Sequence, residues 1–389
     1  MDNGITPHMA ERKAKGLLRE LAVVERLPGG KLMSGGREFF DLSSNDYLGL
    51  SFHPALKEAA FGKISRAFGS GASRLMTGTS GCHADLESAV ASLKGKEAAL
   101  IFNSGYQANV GVISALMGKY DAVFADRLSH ASIIDGVKLS GARLFRFRHN
   151  DTEHLSGMLR AKRPGVRRAM IVTESVFSMD GDVAPLEELT GLKKEHDAFL
   201  MVDEAHATGV FGPEGEGRVH SEGLADNVDI LMGTFSKALG SFGGYVAVSG
   251  EMKEYLINFS RSFIYSTALP PAVIAANLKA IELVKNSHGR RSKLLSLAGY
   301  LRQGLKSLGF EVLGESQIVP VLAGTNEAAM KMSRDLREKG FWAAPVRPPT
   351  VPEGEARIRL SISSEHTENM LSELIKAIAY CAGGRLKNA

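Results

Sequence analysis

Between about residues 50 and 270 the chain alternates short, uninterrupted apolar runs with longer amphipathic stretches. The runs are AALIFN (98–103), DAVFAD (121–126), AMIVTES (169–175), AFLMVDEAH (198–206), VDILMGTFSK (228–237) and GYVAVSG (244–250). They are aliphatic, often β-branched, and bounded by polar residues or glycine, the pattern of strands buried on both faces. Their alternation with helical segments predicts βαβ units and a mostly parallel sheet. Upstream, residues 6–24 predict an amphipathic helix with Met9, Leu17, Leu18 and Leu21 roughly on one face, and Gly29–Gly30 and Gly35–Gly36 predict a hairpin. Downstream, a helical stretch from Pro271 to about Lys306 leads into GFEVL, QIVPVLAG and ARIRLSIS as strands, with helices at 326–339 and 366–382. The expected organisation is an N-terminal helix and hairpin segment (1–45), a large α/β domain (46–285) and a smaller C-terminal α+β domain (286–389).

Composition changes this picture little. With 389 residues, 44% of them hydrophobic and 23% charged, the chain is long enough and apolar enough for a substantial core. A net charge of +4 is compatible with anionic substrates and too diffuse to imply nucleic acid. The basic runs at 143–148 and 162–168 read as solvated faces. Cys82 and Cys381 lack any CxxC spacing, so neither a disulfide framework nor a zinc or other metal signature is expected, and a reducing compartment suits them. The first twenty residues contain no apolar signal-peptide core, and no run reaches the roughly 18–20 apolar residues that span a bilayer. A cytoplasmic protein without membrane association is therefore expected.

Chemistry gathers where the runs end. Ligands of open α/β sheets bind beyond the carboxyl ends of the strands. Asp203 and His206 follow one run, and Thr234, Ser236 and Lys237 follow another, ahead of Gly240, Gly243 and Gly244. Glu174, Ser178 and Asp180 follow a third. A lysine so placed can hold an aldehyde cofactor covalently. An aspartate can keep a pyridine nitrogen protonated, which makes the ring an electron sink. Thr234 and Ser236 offer hydroxyls to a phosphate, and NSGYQAN (103–109) offers Ser104, Gly105 and Tyr106 as backbone donors at a helix N-terminus. Taken singly, Asp203 fits a helix cap, Lys237 a surface lysine and His206 a structural histidine. The Gly-rich GSGASRLMTGTSG (69–81) matches neither common phosphate-loop pattern. Asp-x-x-His after one strand and Thr-x-Ser-Lys-x-x-Gly after the next, within one βαβ series, point jointly to a site.

At these residues the sequence resembles the α-oxoamine synthases, over nearly the whole chain from about Glu11 to His366. SSNDYLGL, ADRLSHASIIDG, ESVFSMDGD, MVDEAHATGVFG, GTFSKALGSFGG and YSTALPP carry the resemblance, and RPPTVPEGEARIRLSIS (347–363) narrows it. The resemblance implies the aspartate-aminotransferase-like fold (fold type I), with a mostly parallel seven-stranded sheet, and pyridoxal 5′-phosphate (PLP) as cofactor. Lys237 would carry the cofactor, Asp203 would face its pyridinium nitrogen, and His206 would bond its phenolic oxygen. His130 would stack on the ring and contact substrate, and Gly105, Tyr106, Ser178, Thr234 and Ser236 would help hold the cofactor. Asn45 and Arg359 match binders of the amino-acid carboxylate, and Arg19 and Thr350 match other substrate-contacting positions. Ser236 stands where some relatives have glycine, and Arg74 lies at a variable position. The implied reaction joins L-alanine to a pimeloyl thioester, of coenzyme A or of an acyl carrier protein, with loss of carbon dioxide, as in biotin biosynthesis. Rival branches use glycine with acetyl-CoA or serine with palmitoyl-CoA, and RPPTVP argues against them. The family implies a homodimer with a shared active site, in which Asn45 and YSTALPP reach across the interface.

Overall fold

The computed structural model describes residues 4–64 and 68–381, so the expected helix end at 382 lies outside the described residues. The chain divides into two compact units: Met1–Gly49 with Met179–Asp182 and Ser292–Ala389, and Leu50–Ser178 with Val183–Arg291. In the first, the glycine pairs turn an antiparallel ribbon of β1 (Glu25–Leu27), β2 (Lys31–Ser34) and β3 (Arg37–Asp41). The helix expected over 6–24 is much shorter. It spans Ile5–Ala14 (α1), buries none of its residues, and gives way at Gly16, where φ is +63°. Leu21 is fully exposed, so the apolar spacing past Ala14 marks no buried helix face. The Arg347 guanidinium takes the carbonyls of Gly16 and Leu18, which anchors the chain just past the helix.

The second unit carries the sheet. Its strands are β4 (Ala98–Phe102), β5 (Ala122–Asp126), β6 (Arg143–Phe147), β7 (Ala169–Glu174), β8 (Phe199–Asp203), β9 (Ile230–Thr234) and β10 (Gly244–Val248). Their order is β4-β10-β9-β8-β7-β5-β6, parallel except for β10, so the expected fold class holds. The central strands are buried at nearly every position, as their apolar runs require. The basic run at 143–148 is a solvated face as expected, and it forms the edge strand β6, whose Arg143 and Arg146 are exposed while Phe147 is buried. Charged side chains on an edge discourage pairing with another chain. Helices α2 (Pro54–Ile64), α3 (Gly81–Lys94), α4 (Gly105–Leu116) and α5 (Ala131–Ser140) follow in the same unit, and α4 and α5 pack together over the sheet. The register sets Glu174 beside Asp203 and Asp203 beside Met232, which aligns the carboxyl ends of β7, β8 and β9.

The helix expected from Pro271 to Lys306 is two helices, Pro271–Lys285 and His288–Ser307. At the break Asn286 Nδ2 and Ser287 Oγ bond the carbonyls of Glu282 and Leu283, an alternative to continuing the ladder. In the first unit, β11 (Ile318–Gly324), β13 (Pro345–Val346) and β14 (Ala356–Ser361) form an antiparallel sheet, and β12 (Phe341–Trp342) extends the ribbon beside β3. GFEVL is not a strand; only Val312 bridges to Val321. Among the described residues, no helix is long and apolar enough to cross a membrane.

Candidate active site

The carboxyl ends of β4, β5, β7, β8 and β9 and the first turns of α4 and α5 surround a cavity of about 220 Å³. Of the residues singled out in the sequence, Ser104, Gly105, Tyr106, His130, Glu174, Asp203, His206, Thr234, Ser236 and Lys237 line it. Ser178 is buried four residues beyond Glu174 and is not part of that lining. Asn109, Ser132, Ala205 and Met232 also line the cavity and carried no expectation. A larger open depression, lined by Glu153, Arg160, Glu188 and Glu195, brings together no comparable chemistry.

Ser104 caps α4, its hydroxyl accepting the Gln107 N–H at 3.2 Å, and the donors of the helix's first turn have no acceptor within the helix. A side chain at Gly244 would place a Cβ 2.6 Å from the Gly105 nitrogen, so bare backbone is required where β10 meets this turn. Tyr106 is half exposed and donates its phenol to Asp135 Oδ2 at 2.6 Å, tying α4 to α5. Thr234 donates its hydroxyl to the Gly243 carbonyl at 2.7 Å and lies 2.8 Å from the Ser236 hydroxyl. Thr234 therefore spends its proton on the turn, and the exposed Ser236 is the freer hydroxyl of the two.

Asp203 is 5% exposed; one carboxylate oxygen accepts the Ala205 N–H and the other the Asn109 amide, each at 2.9 Å. Glu174 is buried beside it and accepts the His130 backbone N–H at 2.7 Å. Burial pushes the Glu174 carboxyl up to about 8, and the charge of Asp203 adds to the rise, while Lys237 and the His130 N–H oppose it. The His130 ring caps α5 and opens to the cavity, with Nδ1 2.8 Å from the Ser132 hydroxyl. Desolvation holds its basicity below the ordinary histidine range; Asp203 works against this and Lys237 with it. His206 is buried in the turn that follows Asp203, and Lys237 is half-buried in the turn that follows β9.

The other expected residues belong to the first unit. Arg359, on β14, is 8% exposed and donates to Ser361 Oγ at 2.6 Å, Asn45 Oδ1 at 3.1 Å and the Tyr47 hydroxyl at 3.4 Å. Alternation sets Arg357 on the same strand face, but its partners are the carboxylates of Asp180 and Glu355. Neither arginine is a surface residue. Arg19 and Thr350 meet, Nη2 to Oγ1, at 3.2 Å.

A family model described as aminotransferase class I and II matches residues 37–378. The chain is 48% identical over 383 residues to the 8-amino-7-oxononanoate synthase of Geobacter sulfurreducens, covering 97% of this chain and 98% of that one. A solved serine palmitoyltransferase variant from S. paucimobilis with bound PLP-myriocin aldimine is similar at a TM-score of 0.92 and 32% identity, over 99% of this chain and 98% of that one. The solved 8-amino-7-oxononanoate synthase of Francisella tularensis is similar at a TM-score of 0.78 and 30% identity, over 88% and 97%.

Proposed function

Because the chain belongs to the aminotransferase class I and II family, and within it to the 8-amino-7-oxononanoate synthases, we propose that it is a PLP-dependent acyltransferase of biotin biosynthesis, which condenses L-alanine with a pimeloyl thioester and releases carbon dioxide and the free thiol. The observation that carries this reading is the meeting of Asp203, Lys237 and the first turn of α4 in one cavity. These residues fit PLP. Outward-facing backbone donors suit a phosphate, a close-packed glycine pair leaves the backbone bare, and a buried, doubly held carboxylate suits a pyridinium.

When bound, PLP supplies an electron sink for the charge left at the amino-acid Cα. Lys237 would hold it through Nζ, and the Lys237 amine or a neighbouring group would take the Cα proton. Asp203 would favour a protonated pyridine nitrogen by opposite charge. His206 would bond the cofactor's phenolic oxygen and Thr234 and Ser236 would lie at its phosphate, whereas Ser178 lies outside the cavity lining. His130 directs an N–H at the oxygen that gains charge when the thioester carbonyl is attacked. Arg359, with Asn45, takes the alanine carboxylate through its planar fork. Arg19 and Thr350 contact the acyl substrate. The resemblance to α-oxoamine synthases supports a homodimer with a shared site, and coenzyme A and a carrier protein would present the same thioester.

The rival is a serine palmitoyltransferase-like reaction, favoured by the higher TM-score. A shared backbone belongs to the whole family, and the 48% identity over nearly the whole chain to a synthase supports the synthase branch. A panel of glycine, L-alanine and L-serine against acetyl-, pimeloyl- and palmitoyl-CoA, following thiol and carbon dioxide release, tests the choice. Alanine with pimeloyl-CoA should give the highest kcat/KM. Preference for serine with palmitoyl-CoA, or for glycine with acetyl-CoA, would move the chain to another branch.

A further inference from the structure

NSGYQAN contains a residue with no role so far. Asn109 lies in the second turn of α4, is 1% exposed, and aims its amide nitrogen into the cavity wall. The two hydrogens of that nitrogen go to two acceptors, Asp203 Oδ2 and Ser132 Oγ, each at 2.9 Å. Turning the amide over would set its oxygen against the Asp203 carboxylate, so the network fixes its orientation. Ser132, 0% exposed, accepts from Asn109 and is left with one hydrogen, and His130 Nδ1 lies 2.8 Å from its oxygen. The Ser132 backbone N–H also points at Nδ1, from 3.3 Å. The backbone N–H makes Nδ1 an acceptor without a proton of its own, and the Ser132 hydroxyl hydrogen is then free to point at it as well. The neutral ring must then carry its hydrogen on Nε2.

We propose that Asn109 is a positioning residue that couples the two sides of the reaction centre, fixing the Asp203 carboxylate with one amide hydrogen and, through Ser132, the Nε2–H form of His130 with the other. This rests on the proposed function for the meaning of Asp203 and His130. Its consequence is that His130 acts as a donor at Nε2 and not as a base, which suits an oxygen gaining charge. Protonating Nδ1 would set a third hydrogen against two donors, which agrees with the lowered basicity of the ring. The charged groups facing that ring are Lys237, which lowers its basicity, and Asp203 and Asp135, which raise it. Glu174 holds its backbone N–H, and His206 shares the cavity.

The test uses PLP-loaded protein labelled with ¹⁵N-histidine, with the His130 ring signals assigned by their loss in His130→Gln. In the parent the ring should be the neutral Nε2–H form, titrating below the ordinary value of about 6.5. Ser132→Ala removes only the hydroxyl arm and should mix the tautomers and raise the His130 pKa toward the ordinary value. Asn109→Ala should do the same and also raise the PLP dissociation constant by roughly tenfold or more, as expected for losing a hydrogen bond to a charged group. Ser132→Ala should weaken PLP less. A ring that keeps its tautomer and pKa in Ser132→Ala overturns the coupling, whether or not Asn109→Ala folds. Unchanged PLP affinity in folded Asn109→Ala overturns the Asp203 arm. If the parent bound no PLP, the proposed function would fail, while the ring signals would still decide the coupling.

Discussion

Asp203 and Glu204 are consecutive residues at the end of β8, both are buried, and their side chains enter two differently built regions. Glu204 meets Lys94, which has no exposed surface, at 2.8 Å, and its other oxygen accepts the Val219 N–H at 2.9 Å. Lys94 also donates to Thr208 Oγ1, which lies 3.1 Å from the Tyr245 hydroxyl. Burial lowers the basicity of Lys94, but Glu204 and Tyr245 outweigh it, so the lysine holds its proton more tightly than usual. That region contains its own counter-charge. Asp203 is held instead by neutral donors, the Asn109 amide and the Ala205 N–H, at the wall of a cavity. Burial alone does not mark a functional carboxylate. A structural one is paired by the fold, whereas this one is oriented by neutral groups with its charge directed where a cationic ligand ring can sit.

The sharpest way to break this contrast is Asp203→Ala. Turnover should fall on the order of 10³-fold, the scale for losing a preorganised electrostatic group, while the fold is kept. Turnover within tenfold of the parent would place Asp203 among the structural carboxylates. Lys94→Met should do the reverse. It strands a buried carboxylate and should cost about 3–5 kcal/mol in urea unfolding, and adding Glu204→Leu should restore much of the loss. A folded Lys94→Met protein with parental stability would contradict the closed region.

Arg359→Lys keeps the charge but loses the fork, and should weaken alanine by roughly 1.5–3 kcal/mol, read from spectral titration of the PLP-loaded protein. An unchanged dissociation constant would remove Arg359 from the carboxylate site. A separate effect concerns pH. The Glu174 carboxyl titrates at 4.5 in the ordinary case and at about 8 in the folded chain, so the stability it contributes is fully present below 4.5 and is lost as pH rises toward 8. In cofactor-free protein, Glu174→Gln should therefore lose less stability than the parent between about pH 5 and pH 8. Parallel pH curves for the two would show that Glu174 does not keep its proton.

The parts of the site that lie along one strand and its following turn were legible in the sequence. Asp203, His206, Thr234, Ser236 and Lys237 stand at fixed short distances after apolar runs, and the strands before them needed only local pattern. Asn109 and Ser132 were not legible, because their hydrogen bonds form only once α4, α5 and β8 converge. Glu174 stood in view after β7, but its raised pKa depends on burial that the sequence does not display. β6 was hidden because its arginines reach solvent at a sheet edge, and the break at Asn286 because two polar side chains take carbonyls within a sequence of helical character. The helix expected past Ala14 ends early where Arg347, over three hundred residues away, takes the carbonyls of Gly16 and Leu18.

Whether the open region is built around a cofactor on Lys237 is decided by one measurement. PLP-loaded protein is reduced with borohydride, digested, and the modified peptide sequenced by mass spectrometry. The expected result is the reduced phosphopyridoxyl group on Lys237 alone, at near-full occupancy, and none on the Lys237→Ala protein. A full-occupancy adduct on another lysine, or one that persists in Lys237→Ala, would contradict the assignment of this cavity as the active site.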